Sequence, residues 1–119
     1  MNTPGGDIID ILILNLKQGS RSAFDKLYKE SALPLLKRWN VDVICFGPSL
    51  HEEDTYLVVR RYKDLADRQQ SQDAYYGSDE WKLGPREQIM SLIQNYSTVV
   101  IPANDYLIDG FSILRGKNS

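Results

Sequence analysis

The residues best placed to do chemistry are Arg60 and Arg61, which close the alternating segment Asp54–Tyr62 (DTYLVVRRY). Adjacent residues of a strand point to opposite faces, so one of the two guanidiniums is directed into the protein. A guanidinium there costs free energy unless a carboxylate or a ligand pairs with it. One reading is therefore an ion pair with a helix acid, Asp25 or Asp67 being the candidates. The other is an anion anchor in a cleft, where the planar fork suits a carboxylate. Arg60 shares its alternate set with Tyr56 and Val58, so these three line one face. With Tyr28 and Trp81 as further walls, the candidate ligand-binding residues are Arg60, Tyr28, Tyr56 and Trp81. Should Leu57 and Val59 face the helices instead, Arg61 becomes the anchor.

Other reactive side chains read more plainly. His51 is the only histidine and lies in the polar turn His51-Glu52-Glu53-Asp54, where it is a solvated loop residue. The acids of that turn, and Asp79-Glu80 further on, follow from turn chemistry and from the preference of a helix N-terminus for negative charge. Neither cluster supplies a metal set, and no metal is expected. There is no glycine-rich phosphate loop, nucleophile elbow or metalloprotease motif. No catalytic residue and no cofactor is assigned. Cys45 sits in an apolar run and reads as a small buried hydrophobe. Tyr28, Tyr56, Tyr62, Tyr75, Tyr76, Trp39 and Trp81 pack a core by default. Clustered between helix and sheet, they would also line an apolar pocket with polar tips.

Composition bounds the partners. At 119 residues the chain is one domain, with 42% hydrophobic and 25% charged residues, as in ordinary globular proteins. A net charge of −2 offers no basic excess for phosphate contacts, so nucleic acid is not an expected partner. One cysteine permits no intrachain disulfide, which suits the cytoplasm. Met1–Gly6 lacks the basic start of a signal peptide. The run Ile8–Leu16 contains Asp10 and Asn15 and is too short to span a bilayer, so no membrane insertion is expected.

The elements that position these residues follow from periodicity. Ile8–Leu16 is apolar on both alternate sets and reads as a strand buried on both faces. Gln18-Gly19-Ser20 breaks it. Ser20 or Ser22 caps a helix over 21–39, with Phe24, Leu27, Tyr28, Leu35 and Trp39 inward and a kink at Pro34. Val41–Gly47 and Thr55–Tyr62 form an antiparallel hairpin. A helix spans Lys63–Tyr76, and Ser78 caps a new turn carrying Trp81. Gly84-Pro85 restarts the helix with Ile89, Leu92, Ile93 and Tyr96 as its stripe. Thr98–Ile101 is a short fourth strand, and Asn104–Leu114 an extended arm. The core spans about 8–101 and the C-terminal arm 102–119. The order β-α-β-β-α-β gives an α+β, ferredoxin-like fold, a four-stranded antiparallel sheet with both helices on one face. The outer face is then covered by a second copy, as a homodimer.

With Ser78-Asp79-Glu80-Trp81 added to that order, the chain resembles the NIPSNAP family of dimeric α+β barrel proteins. Similar features are Gly19 opening helix one, Leu33-Pro34-Leu35, the strand Val43–Gly47, Arg60-Arg61-Tyr62, and Trp81 after its acidic pair. The resemblance runs from about Ile9 to Ile101. It departs at Leu12 and Leu14, where family members often carry Arg and Tyr, and at Trp39-Asn40, where a glycine is usual before strand two. The resemblance implies a two-fold dimer whose sheets form a barrel, with a ligand cleft between helices and sheet in each subunit. The function expected is binding of a small organic or anionic molecule. The alternatives are a cofactor-independent monooxygenase acting on an aromatic or lipid-like substrate, as in related barrels, and a structural or interaction protein without a ligand.

Overall fold

The computed structural model describes residues 7–118, so the reading of Met1–Gly6 lies outside the described residues. Strand β1 (Ile8–Leu16) is followed by helix α1 (Arg21–Leu27), a π-helical turn (Tyr28–Ala32) and helix α2 (Leu33–Arg38). Strands β2 (Asp42–Pro48) and β3 (Thr55–Tyr62) form the hairpin. Helices α3 (Leu65–Gly77), α4 (Asp79–Lys82) and α5 (Arg86–Leu92) lead to β4 (Ile93–Pro102), and α6 (Asp105–Asn118) ends the chain. The sheet order is β2-β3-β1-β4 and every pairing is antiparallel. This is the expected ferredoxin-like α+β arrangement.

The first helical arm breaks where its proline requires. Pro34 has no N–H to donate, and the chain widens into a π turn in which the Leu33 N–H reaches the Tyr28 carbonyl. The arm ends at Asn40, whose φ of 60° is the left-handed conformation glycine usually supplies at a helix end. Asparagine tolerates it, which accounts for the missing glycine. Ser20 stands at the N-cap of α1 but its side chain makes no capping bond. Ser78 does cap α4: its Oγ accepts from the Trp81 N–H at 3.2 Å and donates to the Tyr75 carbonyl at 2.6 Å. That one hydroxyl fixes the α3–α4 corner.

Two elements differ from expectation. The helix carrying Ile89 and Leu92 stops at Leu92, and Ile93 and Tyr96 belong to β4, which is ten residues long. Its run of Tyr, Thr and Val favours a strand, and pairing with β1 along almost its whole length overrides the helical stripe. The C-terminal segment is helix α6 rather than an extended arm. Asn104 caps it, its Oδ1 accepting from the Leu107 N–H at 2.9 Å. Leu107, Ile108 and Phe111 fall at helical spacing and pack on Ile9, Ile44, Cys45, Val59 and Ala103. The outer face of the sheet is thus partly covered by the chain's own helix, leaving Ile13 and Val99 at 40% and 54% exposure.

The larger core lies between the helices and the opposite face, built on Leu14, Leu16, Phe24, Tyr28, Tyr56 and Trp81. Trp81 is buried beside Tyr75 and Tyr76, with ring centroids 5.4 and 5.3 Å away. Gly84 is needed for close approach, since a Cβ there would meet the Glu80 carbonyl oxygen at 2.3 Å. Arg38 pairs with Glu80, joining the α1–α2 arm to α4 at the surface. Trp81→Ala should cost about 3–5 kcal/mol, the usual loss for truncating a buried Trp. Urea denaturation measures it; a midpoint shift no larger than that of Lys82→Ala would place Trp81 outside the core.

Candidate functional site

A cleft of about 450 Å³ opens between the helical layer and the sheet. Its floor is Leu12, Leu14, Val58 and Arg60; helices from both arms form its walls. Among the described residues that line it are three arginines, Arg60, Arg68 and Arg86, and no acid.

The polar end is built on one carboxylate. Asp10 is fully buried on β1, directly opposite Arg60 of β3 in the sheet register. Asp10 Oδ1 accepts from Arg60 Nη2 at 2.8 Å and Nε at 3.3 Å. Oδ2 accepts from Arg68 Nε at 2.6 Å and Gln72 Nε2 at 3.3 Å, both from α3. Arg60 Nη1 also donates to the Tyr76 hydroxyl at 3.0 Å. Two guanidiniums on one carboxylate leave a net positive charge in a poorly hydrated place. Arg60 is largely committed, its side chain only 6% exposed, whereas Arg68 spends only its Nε and stays 22% exposed. Burial by itself would lower the Arg60 pKa, but Tyr76, Tyr62 and Asp10 outweigh it and raise the pKa above the ordinary value, so Arg60 stays charged.

Two phenols of the cleft, Tyr28 and Tyr75, keep their protons. Burial pushes Tyr28 and Tyr75 well above the usual tyrosine range, against the opposing pull of Arg60. Both line the cleft. The Tyr75 hydroxyl is buried without a partner, and the Tyr28 hydroxyl has none among the described residues. Neutral phenols with free O–H groups beside a cationic centre are hydrogen-bond donors for an anion.

The four expected residues do not all meet here. Arg60 faces the helices, as its alternate set with Tyr56 and Val58 requires, and Tyr28 and Trp81 join it as walls. Tyr56 shares that face but lies beneath the cleft, packed edge-on to Phe24 at 4.9 Å, and is not part of the lining. Its hydroxyl donates to Asp25 Oδ1 at 2.6 Å. Burial tends to raise the Asp25 pKa, but Tyr56 and Lys29 outweigh it and leave the carboxyl below the ordinary value. Asp25 is therefore spoken for, and Arg60 pairs with Asp10 rather than with Asp25 or Asp67. Arg61 points away and pairs with Asp7 at 2.7 Å. Cys45 is buried on the outer face, and His51 is exposed, its Nδ1 3.1 Å from Ser49 Oγ. Asp10, Arg68, Gln72 and Arg86 were not anticipated as site residues, whereas Tyr75 and Tyr76 line the cleft as the aromatic-pocket reading allowed. A lone acid in an apolar strand, paired with a strand holding an inward Arg, is the signal that would have found Asp10.

No protein-family model matches the sequence, and no curated protein matches it. Solved structures do. A NIPSNAP family protein from Agrobacterium tumefaciens superposes with a TM-score of 0.78 at 14% identity, over 89% of this chain and 93% of that one. A NIPSNAP-like domain protein from Burkholderia xenovorans gives 0.78 at 14%, over 86% and 89%. A candidate antibiotic biosynthesis monooxygenase from Nitrosomonas europaea gives 0.65 at 12%, over 87% and 95%. The chain has the ferredoxin-like α+β fold of the NIPSNAP proteins, the resemblance already carried by Gly19, Pro34 and Trp81. Identities this low establish the fold and leave the chemistry to this chain's own residues.

Asp10→Ala would leave two guanidiniums without their shared counter-charge. Breaking a buried pair by removing one partner costs about 3–5 kcal/mol. Chemical denaturation should show that loss for Asp10→Ala and a much smaller one for Asp7→Ala at the surface; equal losses would mean that the buried cluster is not what holds α3.

Proposed function

We propose that this protein binds a small organic anion in the cleft between helices and sheet, and does so as a homodimer. The observation that carries the reading is the Arg60–Asp10–Arg68 cluster in a cleft whose other walls are mostly apolar and aromatic. Its charge is unbalanced by one, and Arg68 keeps its terminal N–H groups for a ligand. A carboxylate restores the balance and accepts from a planar fork, while the apolar walls hold its body. A volume of about 450 Å³ lies within the ordinary range of small-molecule sites.

The homodimer rests on the outer sheet face. Helix α6 covers the end around Ile9 and Val59, and Ile11, Ile13, Leu57 and Val99 remain as an apolar strip. A two-fold copy of the same strip covers it with like residues. Sedimentation equilibrium at micromolar concentration should give twice the chain mass, and Ile13→Lys should return it toward the single mass. A wild-type protein that sediments as a monomer removes the dimer.

A second reading is a cofactor-independent monooxygenase acting on an aromatic or lipid-like substrate. It draws on the fold shared with the Nitrosomonas europaea protein described above. Oxygen uptake with dissolved quinols or phenols is its test, and no uptake above the buffer rate removes it.

Anion binding is tested with two fluorescent carboxylates, cis-parinaric acid and 2-naphthoic acid, on wild type, Arg60→Ala and Arg68→Ala. Arg68→Ala should weaken whichever acid binds by about tenfold or more, the loss typical of a charge-assisted hydrogen bond. It should leave the fold intact, because Arg60 still pairs with Asp10. Equal affinity in all three proteins, or binding in none, would reject the site.

A further inference from the structure

Resting on the anion-binding reading, we propose that the ligand is a planar aromatic carboxylate, its ring held between two aromatic walls and its carboxylate met by Arg68 and by the Tyr28 and Tyr75 hydroxyls. The first wall comes from the α1 arm, where Phe24 and Tyr28 stack with centroids 5.8 Å apart and planes at 19°. The second comes from the α3–α4 corner, where Tyr75, Tyr76 and Trp81 contact one another at 4.9 to 5.4 Å. Among the described residues, no ring of one wall contacts a ring of the other; the cleft runs between them. Aromatic rings in a core otherwise find each other, in stacked or edge-on pairs at similar distances. A flat ring inserted there completes both sets of contacts, which an alkyl chain does not.

The hydroxyls supply the second argument. Tyr28 and Tyr75 are 6% and 2% exposed. A buried hydroxyl without a partner destabilises the fold, and phenylalanine would fill the same wall without that cost. The Tyr75 hydroxyl is such a group, and the Tyr28 hydroxyl of the other wall also has no partner among the described residues; an acceptor that arrives with the ligand explains both. They are donors, since burial keeps both protonated.

Isothermal titration of wild type with 2-naphthoate and with dodecanoate, two carboxylates differing in body, tests the ring. Naphthoate should bind at least tenfold more tightly. Trp81→Leu, its fold checked by circular dichroism, should weaken naphthoate and leave dodecanoate within twofold. Tyr75→Phe should raise the denaturation midpoint or leave it unchanged while weakening naphthoate about fivefold, the size of one net hydrogen bond. Tyr28→Phe should weaken naphthoate by a similar factor. A gain in stability with a loss of affinity is not what a purely structural tyrosine gives. If dodecanoate binds as tightly as naphthoate, the aromatic ligand is wrong and the anion site stands. If neither carboxylate binds, both readings fall together. If Tyr75→Phe and Tyr28→Phe leave naphthoate affinity unchanged, the hydroxyl contacts are wrong.

Discussion

The whole arrangement hangs on one carboxylate. Asp10 sits at the centre of the sheet, on β1, with no exposure to solvent, and it binds a guanidinium from the neighbouring strand and another from α3. A carboxylate taken out of water loses several kcal/mol of hydration, and only close pairing with further hydrogen bonds offsets that. Asp10 has both: two arginines and Gln72 supply four donors at 2.6 to 3.3 Å. The geometry is therefore strict. Strand register and the position of α3 cannot shift by a residue without leaving a buried charge unpaired. Asp64 adds a local constraint, capping α3 through the Asp67 N–H at 2.7 Å, so the helix starts where Arg68 and Gln72 reach Asp10.

From that fixed helix the rest of the site follows. Its last turn carries Tyr75 and Tyr76, and Ser78 turns the chain so that Trp81 returns against them. Across the cleft, the π turn forced by Pro34 sets Tyr28 and Ala32 toward the sheet. The Arg38–Glu80 pair then links the two arms at the surface. Such an exposed pair adds little stability by itself, so it orients the arms more than it holds them. Leu12 and Leu14 make the floor apolar, which leaves the cleft's positive charge to Arg60, Arg68 and Arg86.

How much of this was legible depends on whether the signal was local. The alternation of Thr55–Tyr62, the apolar β1 and the capped turn before Trp81 are each readable within ten residues, and they define the sheet and the helical layer. Period-two spacing also put Arg60 on the right face. Its partner was not readable that way, because Asp10 lies fifty positions away and is brought opposite Arg60 only by strand pairing. Tyr56 failed as a wall for a similar reason. Alternation gives its face, but whether a buried tyrosine meets a cleft or a neighbouring helix is decided by packing, here by Phe24 and Asp25. Ile93 and Tyr96 fitted a helical stripe, yet an unpaired edge on β1 claimed them for β4. Helix α6 did carry a local signal, the cap at Asn104 and the spacing of Leu107, Ile108 and Phe111, which weak alternation masked.

The size of the cleft bears on why its charge is there. A dry void of about 450 Å³ would cost on the order of 11 kcal/mol at about 24 cal/mol per Å³, comparable with the whole stability of a domain. Such a space persists only if it opens to solvent and its polar groups can be served by water or by a ligand. Arg68 and Arg86 provide those groups, and the exposed Tyr96 and Met90 among the lining residues keep the cleft open to solvent. Filling the space with larger aliphatic side chains would bring Arg60 and Arg68 into a still drier core, where one Asp10 could not balance both. The positive cluster and the open volume therefore stabilise each other: the charge requires access to water, and the access leaves room for an anion.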